Sequence, residues 1–546
     1  MSSSTVTTDT PASPTWQEIA ARKSAALLAS IPKEWIIPED KKPPASQDNV
    51  TGWPRESGWF TEEELAITES SATELVSKLA TGALKSLDVT KAFCKRACAA
   101  QQLINCLTET CFDRALETAA ARDEHFARTG KPVGPLHGLP MSLKDNFHLT
   151  GLDATVGFSS HVGDPASYDA TLAAMLQDAG AVFYVKTNIS TAMMIAESVN
   201  NVFGRTVNPL NRQLTSGGSS GGEAALIAFR GSPLGIGTDI GGSLRIPAAC
   251  TGLFTLRSSF GRFPTLGCRS GLPGQEAVRS INGPLAATLD DIILEAKTIV
   301  DAQPWLHDSR MVPLPWREVT LPPKLKVAVM WDDGVVLPTP PVTRALRQVV
   351  DKMQATGRYE IVDWDPKDQL QGIKLLGRMF VADGGKAIKK ELARTGEPMR
   401  PEMNLYDAAT ELGTYDMWML HVERDAFVKQ YLDRWNEAGI DAILCPTTPY
   451  STTKNGQFRY VGYTGVYNVL DCSCVSFPSG IHVDQDIDLP LVAGEGYTPR
   501  SDTCKATHQE YDHAAVHGIP ISLQLVTRRL EEEKVLAMTK QILSLL

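Results

Sequence analysis

The segments Thr215-Ser216-Gly217-Gly218-Ser219-Ser220-Gly221-Gly222-Glu223 and Gly235-Ile236-Gly237-Thr238-Asp239-Ile240-Gly241-Gly242-Ser243-Leu244-Arg245 place hydroxyls between clustered glycines, in a chain whose 42 glycines among 546 residues are otherwise an ordinary complement. Each adjoins an apolar run, 224–229 and 234–236, so both belong inside a fold and not to a linker. Glycine permits positive φ and close backbone approach. Such segments can aim several N–H groups at one point, as an anion nest or an oxyanion hole. Neither segment has the GxxxxGK[ST] pattern or its phosphate-reaching lysine. Gly217-Gly218-Ser219-Ser220-Gly221 fits the GxSxG nucleophile elbow, with His508, His513 and His517 late in the chain as that order requires. An elbow serine, however, follows a buried strand, and Asn208-Pro209-Leu210-Asn211-Arg212-Gln213 is polar and turn-rich. Where histidine is not the base, a neutral lysine can take a serine proton. Lys144, closing the apolar run Pro140-Met141-Ser142-Leu143, is the candidate, with an ordinary surface ion pair as the alternative.

Outward from these segments, short apolar runs alternate with helical patterns. Residues 171–178 read as a helix closed by Gly180, and 181–185 as a strand; 325–330, 343–355 and 359–364 repeat the theme. This alternation predicts an α/β fold with a substantially parallel sheet covered by helices on both faces. Residues 1–14 read as a disordered polar tail and 16–28 as a docking helix. The pattern over 67–109 is helical, broken at Thr81-Gly82. The expected organisation is an N-terminal helical extension over 15–80 and one catalytic domain over 81–546. The proline-rich stretch 312–324 is either a linker or a wrapping loop, and the chain closes with a strand at 521–526 and an amphipathic helix at 530–546.

The composition, 43% hydrophobic and 21% charged, is globular, and 53 basic against 63 acidic residues give a net charge of −10, which argues against a nucleic-acid partner. No uncharged apolar run is long enough to span a bilayer, and the Ser/Thr-rich N-terminus lacks a secretory pattern, so neither a membrane nor export is expected. Ten cysteines without zinc spacing read as reduced thiols in a cytoplasmic protein. With no HExxH and no carboxylate cluster, neither metal nor cofactor is expected, and a chelator should leave activity unchanged.

Taken in order, Pro135-Leu136-His137-Gly138-Leu139-Pro140 through Lys144-Asp145, then 217–223, then 237–245 with Pro247, resemble the three motifs of the amidase signature family, at similar spacing. The similarity extends to fungal acetamidases within it, in 67–102, 204–209, 441–446 and from His517-Gly518-Ile519-Pro520 onward. The resemblance implies a large α/β/α domain with a mixed central sheet and hydrolysis of a small-molecule amide, such as acetamide, without a cofactor. It assigns catalysis to Lys144, Ser219 and Ser243: Ser243 as nucleophile, Ser219 after a cis peptide bond as proton relay, and neutral Lys144 as base. It assigns the oxyanion hole to the N–H groups of Ile240, Gly241, Gly242 and Ser243, substrate contact to Met193 and Ser219, and support of the loop to Asp239 and Arg245. The same residues would serve an esterase or carbamate hydrolase or a glutamine amidotransferase subunit, and an inert binding protein is the reading from another class. A homodimer is open, and the membrane-anchoring helix of fatty acid amide hydrolases is absent. Thr255 and Ser258 stand where acetamidases resemble one another in having Gly and Pro, which puts the local loop in question. Pocket walls are expected near Met193, from 445–450 and from 460–471.

Overall fold

Short β-rich runs such as Val182–Thr187 are buried along their whole length, as strands covered on both faces must be. The computed structural model describes residues 14–492, 494 and 497–546, so the expected tail lies outside them apart from Pro14. The strands are β1 (Leu107–Thr110), β2 (Pro140–Lys144), β3 (Val182–Thr187), β4 (Val199–Asn200), β5 (Gly204–Arg205), β6 (Val207–Asn208), β7 (Asn211–Thr215), β8 (Leu234–Asp239), β9 (Phe254–Arg257), β10 (Ile281–Ala286), β11 (Leu325–Val329), β12 (Tyr359–Asp363), β13 (Ala442–Pro446), β14 (Ser473–His482) and β15 (Pro520–Thr527). An 11-stranded sheet runs in the order β1-β3-β2-β8-β10-β9-β14-β15-β13-β11-β12, while β4-β5 and β6-β7 form separate two-stranded ribbons.

This is the α/β class, but the sheet is less parallel than the alternation suggested. β2 is parallel to β3 and β8 on one flank, and β11 is parallel to β12 and β13 on the other. Between these flanks β10, β9, β14, β15 and β13 pair antiparallel. Helix-strand alternation in sequence forces parallel pairing only where consecutive strands become neighbours through a crossover. Here β14 and β15, from the end of the chain, are inserted between β9 and β13.

A second departure concerns 67–109. Helices Ala72–Ala80 and Ser86–Ile104 form there, the first opened by a capping box in which Ser71 and Glu74 satisfy each other's backbone N–H groups. The second then stops at Asn105, whose left-handed φ of 52° turns the chain, and Leu107–Thr110 adds antiparallel to β3 as the sheet's edge. Helix Trp16–Ala29 lies against this edge, with Lys23 Nζ paired to Glu109 and, at 2.7 Å, to Asp153. The stretch 312–324 is a wrapping strap: Val312 N–H donates to Gly261 O at 2.8 Å, and Arg317 reaches Glu533 at 2.6 Å on the C-terminal helix Glu532–Leu543. One apolar core runs from Leu27 through Leu143 and Ile236 to Ile542.

Candidate active site

The parallel strands β2 and β8 lie side by side and end on the same side of the sheet, β2 at Lys144 and β8 at Thr238-Asp239. Open sheets present ligands at the carboxyl ends of such strands. Helix Gly221–Ala228, which packs on this flank, begins directly after Ser219-Ser220, and helix Arg245–Thr251 begins directly after Ser243-Leu244. Two strand ends and two helix starts thus converge. Ser220 knits them together: its N–H donates to Ser243 O at 3.2 Å and its Oγ to Thr238 O at 3.2 Å.

Lys144 is fully buried, and its Nζ donates to Ser219 Oγ at 2.8 Å and to Thr238 Oγ1 at 2.7 Å. Burial lowers its pKa to about 7, against the opposing pull of Asp239, Glu223 and Asp145. Glu223 is also fully buried and is contacted by the hydroxyls of Ser142 and Thr187; burial raises its carboxyl to about 7.

The peptide bond between Gly218 and Ser219 is cis. A Cβ on Gly218 would come within 2.5 Å of the backbone of Glu197, so glycine is required by close approach. Ser198 braces the same loop: its Oγ donates to Ser219 O at 3.0 Å and accepts from Gly221 N–H at 2.7 Å. In the second loop Gly242 has φ 134°, and a Cβ there would lie 2.3 Å from Thr464 Oγ1.

Asp239 and Arg245 are both fully buried and joined Oδ2 to Nε at 3.1 Å. Asp239 accepts from Gly242 N–H at 2.8 Å, Leu244 N–H at 3.2 Å and Asn468 Nδ2 at 2.7 Å, while Arg245 donates to Asn468 Oδ1 at 2.6 Å and Gln524 Oε1 at 3.2 Å. Burial alone would raise the Asp239 carboxyl, but the guanidinium beside it and its hydrogen bonds hold it at about 2. Of the four N–H groups from Ile240 to Ser243, that of Gly242 is therefore engaged. Those of Ile240, Gly241 and Ser243 meet no protein acceptor among the described residues.

Ser243 opens on a cavity of about 420 Å³ lined by apolar Met193, Ile240, Ile246, Phe380, Leu405, Tyr406, Phe458 and Val461, with Glu197, Glu402 and Arg459 as its charged members. Met193 also lies 4.0 Å from Thr238 Oγ1 through its Sδ, and it and Ala192 hold left-handed φ values of 62° and 57°. The structure thus gathers Lys144, Ser219, Ser243, Ile240, Gly241, Gly242, Asp239, Arg245 and Met193 into one region.

The late histidines take no part in it. His508 Nε2 contacts Leu337 O at 3.0 Å, and His517 Nδ1 accepts from Gln485 N–H at 3.2 Å. One expectation about the pocket needs correction. Walls form near Met193 and, from 460–471, at Val461, as expected, but 445–450 contributes none: 445–446 are inside the sheet in β13, and 401–406, 456–459 and Phe380 line the cavity instead. Thr255 and Ser258 do not reach the cavity: the hydroxyl of Thr255 donates to Pro284 O at 2.7 Å and that of Ser258 to Asn282 O at 3.3 Å, so both are absorbed beside β10. Sequence reasoning did not find Thr238 as the second contact of Lys144, nor Glu197, Asn468 and Gln524. Thr238 lies inside the quoted motif; the other three carry no local pattern.

A sequence profile for the family Amidase matches residues 88–536. The chain is 40% identical to the acetamidase of Emericella nidulans over 97% of its length and 98% of that protein's. It is also 40% identical to the acetamidase of Aspergillus oryzae, over 98% and 99%. Among solved structures, a fatty acid amide hydrolase superposes with a TM-score of 0.93 at 36% identity, covering 97% of this chain and 95% of that one. The chain belongs to the amidase family, the hydrolases of linear amides.

Proposed function

We propose that this amidase cleaves carboxylic acid amides through an acyl-enzyme on Ser243, with Ser219 and Lys144 moving the proton. The observation that carries the reading is the buried Lys144 amine, 2.8 Å from Ser219 Oγ, beside the loop that presents Ser243 to the cavity. A lysine that loses its proton near pH 7 can accept through its lone pair over that same contact. Ser243 Oγ forms a bond to the amide carbonyl carbon while its proton passes to Ser219 and the Ser219 proton passes to Lys144. The carbonyl oxygen, now negative, sits among the N–H groups of Ile240, Gly241 and Ser243, with Gly242 N–H spent on fixing the loop to Asp239. As the carbon–nitrogen bond breaks, Ser219 protonates the departing nitrogen and recovers a proton from Lys144. Water then releases the carboxylate by the same relay.

The relatives named acetamidase make small aliphatic amides the first substrates to test. The cavity favours acyl groups beyond acetyl as well, since its volume of about 420 Å³ is in the range of small-molecule pockets and its lining is mostly apolar. The test is hydrolysis of straight-chain amides from acetamide to decanamide, together with mass-spectrometric mapping of a serine-directed phosphonate. Expected are turnover and an adduct on Ser243 that is absent from Ser243→Ala; full activity in folded Ser243→Ala protein overturns the reading.

A further inference from the structure

We infer that Glu197 fixes the width of the cavity in front of Ser243, as a positioning residue that ties two of its walls to the loop carrying Ser219; this rests on the reading of Ser243 as nucleophile. The backbone of Glu197 is itself fixed to that loop. It lies so close to Gly218 that no Cβ fits between them, and the next residue, Ser198, donates its N–H to Gly217 O at 2.9 Å. The carboxylate points the other way, toward the walls. Its Oε2 accepts from Gly456 N–H at 2.9 Å and its Oε1 from Phe458 N–H at 3.0 Å, and Arg205 pairs with it. Arg205 also reaches Glu402 Oε1 at 3.2 Å, and Glu402 pairs with Arg400 at 3.0 Å. Gly456, Phe458 and Glu402 line the cavity together with Glu197, so a single carboxylate, directly or through Arg205, holds both of these chain segments.

The Glu197 side chain is 3% exposed and has a guanidinium and two backbone donors, so its lone pairs are committed to the protein and not to a ligand. A buried carboxylate in such a bridge is costly to neutralise, because its partners are left without an acceptor. Neutralising it frees the 456–458 backbone, and with it the Phe458 ring. An acetyl group held against Ser243 is too short to feel the far wall, whereas a longer acyl chain packs on it. Loss of the charge therefore shows as altered discrimination between acyl lengths, which a purely structural carboxylate would not produce.

The experiment measures kcat and KM of full-length wild type, Glu197→Gln, Arg205→Gln and the double variant on acetamide and hexanamide, with phosphonate labelling of Ser243 as the control for an intact nucleophile. Expected is a loss of kcat/KM in Glu197→Gln that is about tenfold greater for hexanamide than for acetamide and resides in KM. Arg205→Gln is expected to shift in the same direction by less, and the double variant to match Glu197→Gln, because the residues act through one network. Equal losses on both amides, or none, overturn the inference while leaving the nucleophile assignment standing. A wild type that hydrolyses neither amide and takes no label on Ser243 overturns both. Should Glu197→Gln not fold, Arg205→Gln and Glu402→Gln, at 23% and 20% side-chain exposure, decide it by the same ratio.

Discussion

Both hydrogen-bond partners of Lys144 are hydroxyls, Ser219 and Thr238, and hydroxyls stabilise an ammonium less than a carboxylate would, so desolvation prevails and the proton is held only up to about pH 7. Activity is therefore expected to rise through about pH 7 and level off above it, as read from kcat/KM against pH in folded protein. The same shift acts on stability. Between pH 7 and the ordinary lysine value of about 10.4 the unfolded chain binds a proton that the folded one does not, so this group's contribution grows as pH rises through that window. Lys144→Met keeps the volume and removes the buried amine. Amide hydrolysis is expected to fall by about 10²–10⁴ while the circular dichroism spectrum stays native, the range typical for loss of a general base. Asp239 has the same sense in a lower window: its carboxyl, held at about 2, stabilises the fold above the unfolded value of about 3.9, and roughly 2–3 kcal/mol is lost as pH falls from there toward 2. Asp239→Asn, which leaves Arg245 buried without its counter-charge, is expected to cost about 3–5 kcal/mol in urea unfolding and to flatten the acid limb of stability between pH 4 and 2. Lys144, Ser219 and Ser243 were picked out in the sequence through the resemblance of their three short motifs to those of a known family, and the structure brings them into one region. Asn468 and Gln524 were not, because their contacts to Asp239 and Arg245 span more than two hundred residues and depend on where helix Gly462–Val469 and strand β15 come to lie.

At the level of elements, the helices legible in sequence are those with an unbroken apolar stripe and a marked end. Thr171–Asp178 followed by Gly180 is one, and the strand after it is buried on both faces and rich in β-branched and aromatic residues. Leu107–Thr110 was read as helix because four residues are too few to show a two-residue period, and only the left-handed turn at Asn105 separates it from the helix before it. The segment 401–406 was missed for a related reason: its contribution to the cavity is a 3₁₀ turn and a single helical turn, neither with a period to detect. The loop before helix Gly221–Ala228 has little room for added bulk. Gly218→Ala must displace either the Glu197 backbone or the Ser219 peptide, and neither is a flexible side chain. Activity is expected to drop at least about 10²-fold, the scale reached when a catalytic group moves by about an ångström. Gly130→Ala, a control at an exposed helix end with nothing within 4 Å, is expected to leave kcat/KM unchanged and to cost about 1 kcal/mol for its positive φ.

Across the whole molecule, the N-terminal helix is joined to the sheet's edge by charge as well as by apolar packing. Lys23 faces Glu109 and Asp153, which are 14% and 7% exposed. Lys23→Met leaves two carboxylates facing each other without their cation. It is expected to lower stability by about 3–5 kcal/mol in denaturant titration with kcat/KM at 25 °C unaltered, because neither carboxylate lines the Ser243 cavity. The sheet order has a consequence for the timing of synthesis. Residues 144, 219 and 243 are synthesised in the first half of translation, yet Arg245, beyond its local pair with Asp239, has its remaining side-chain partners at 468 and 524. Asn468 comes on helix Gly462–Val469, just before β14, and Gln524 only with β15, which slots between β14 and β13. A nascent chain thus carries Ser219 and Ser243 for much of its elongation without the Gln524 contact to Arg245, and a chain ending before β15 is expected to show no amide hydrolysis when assayed beside one that includes it.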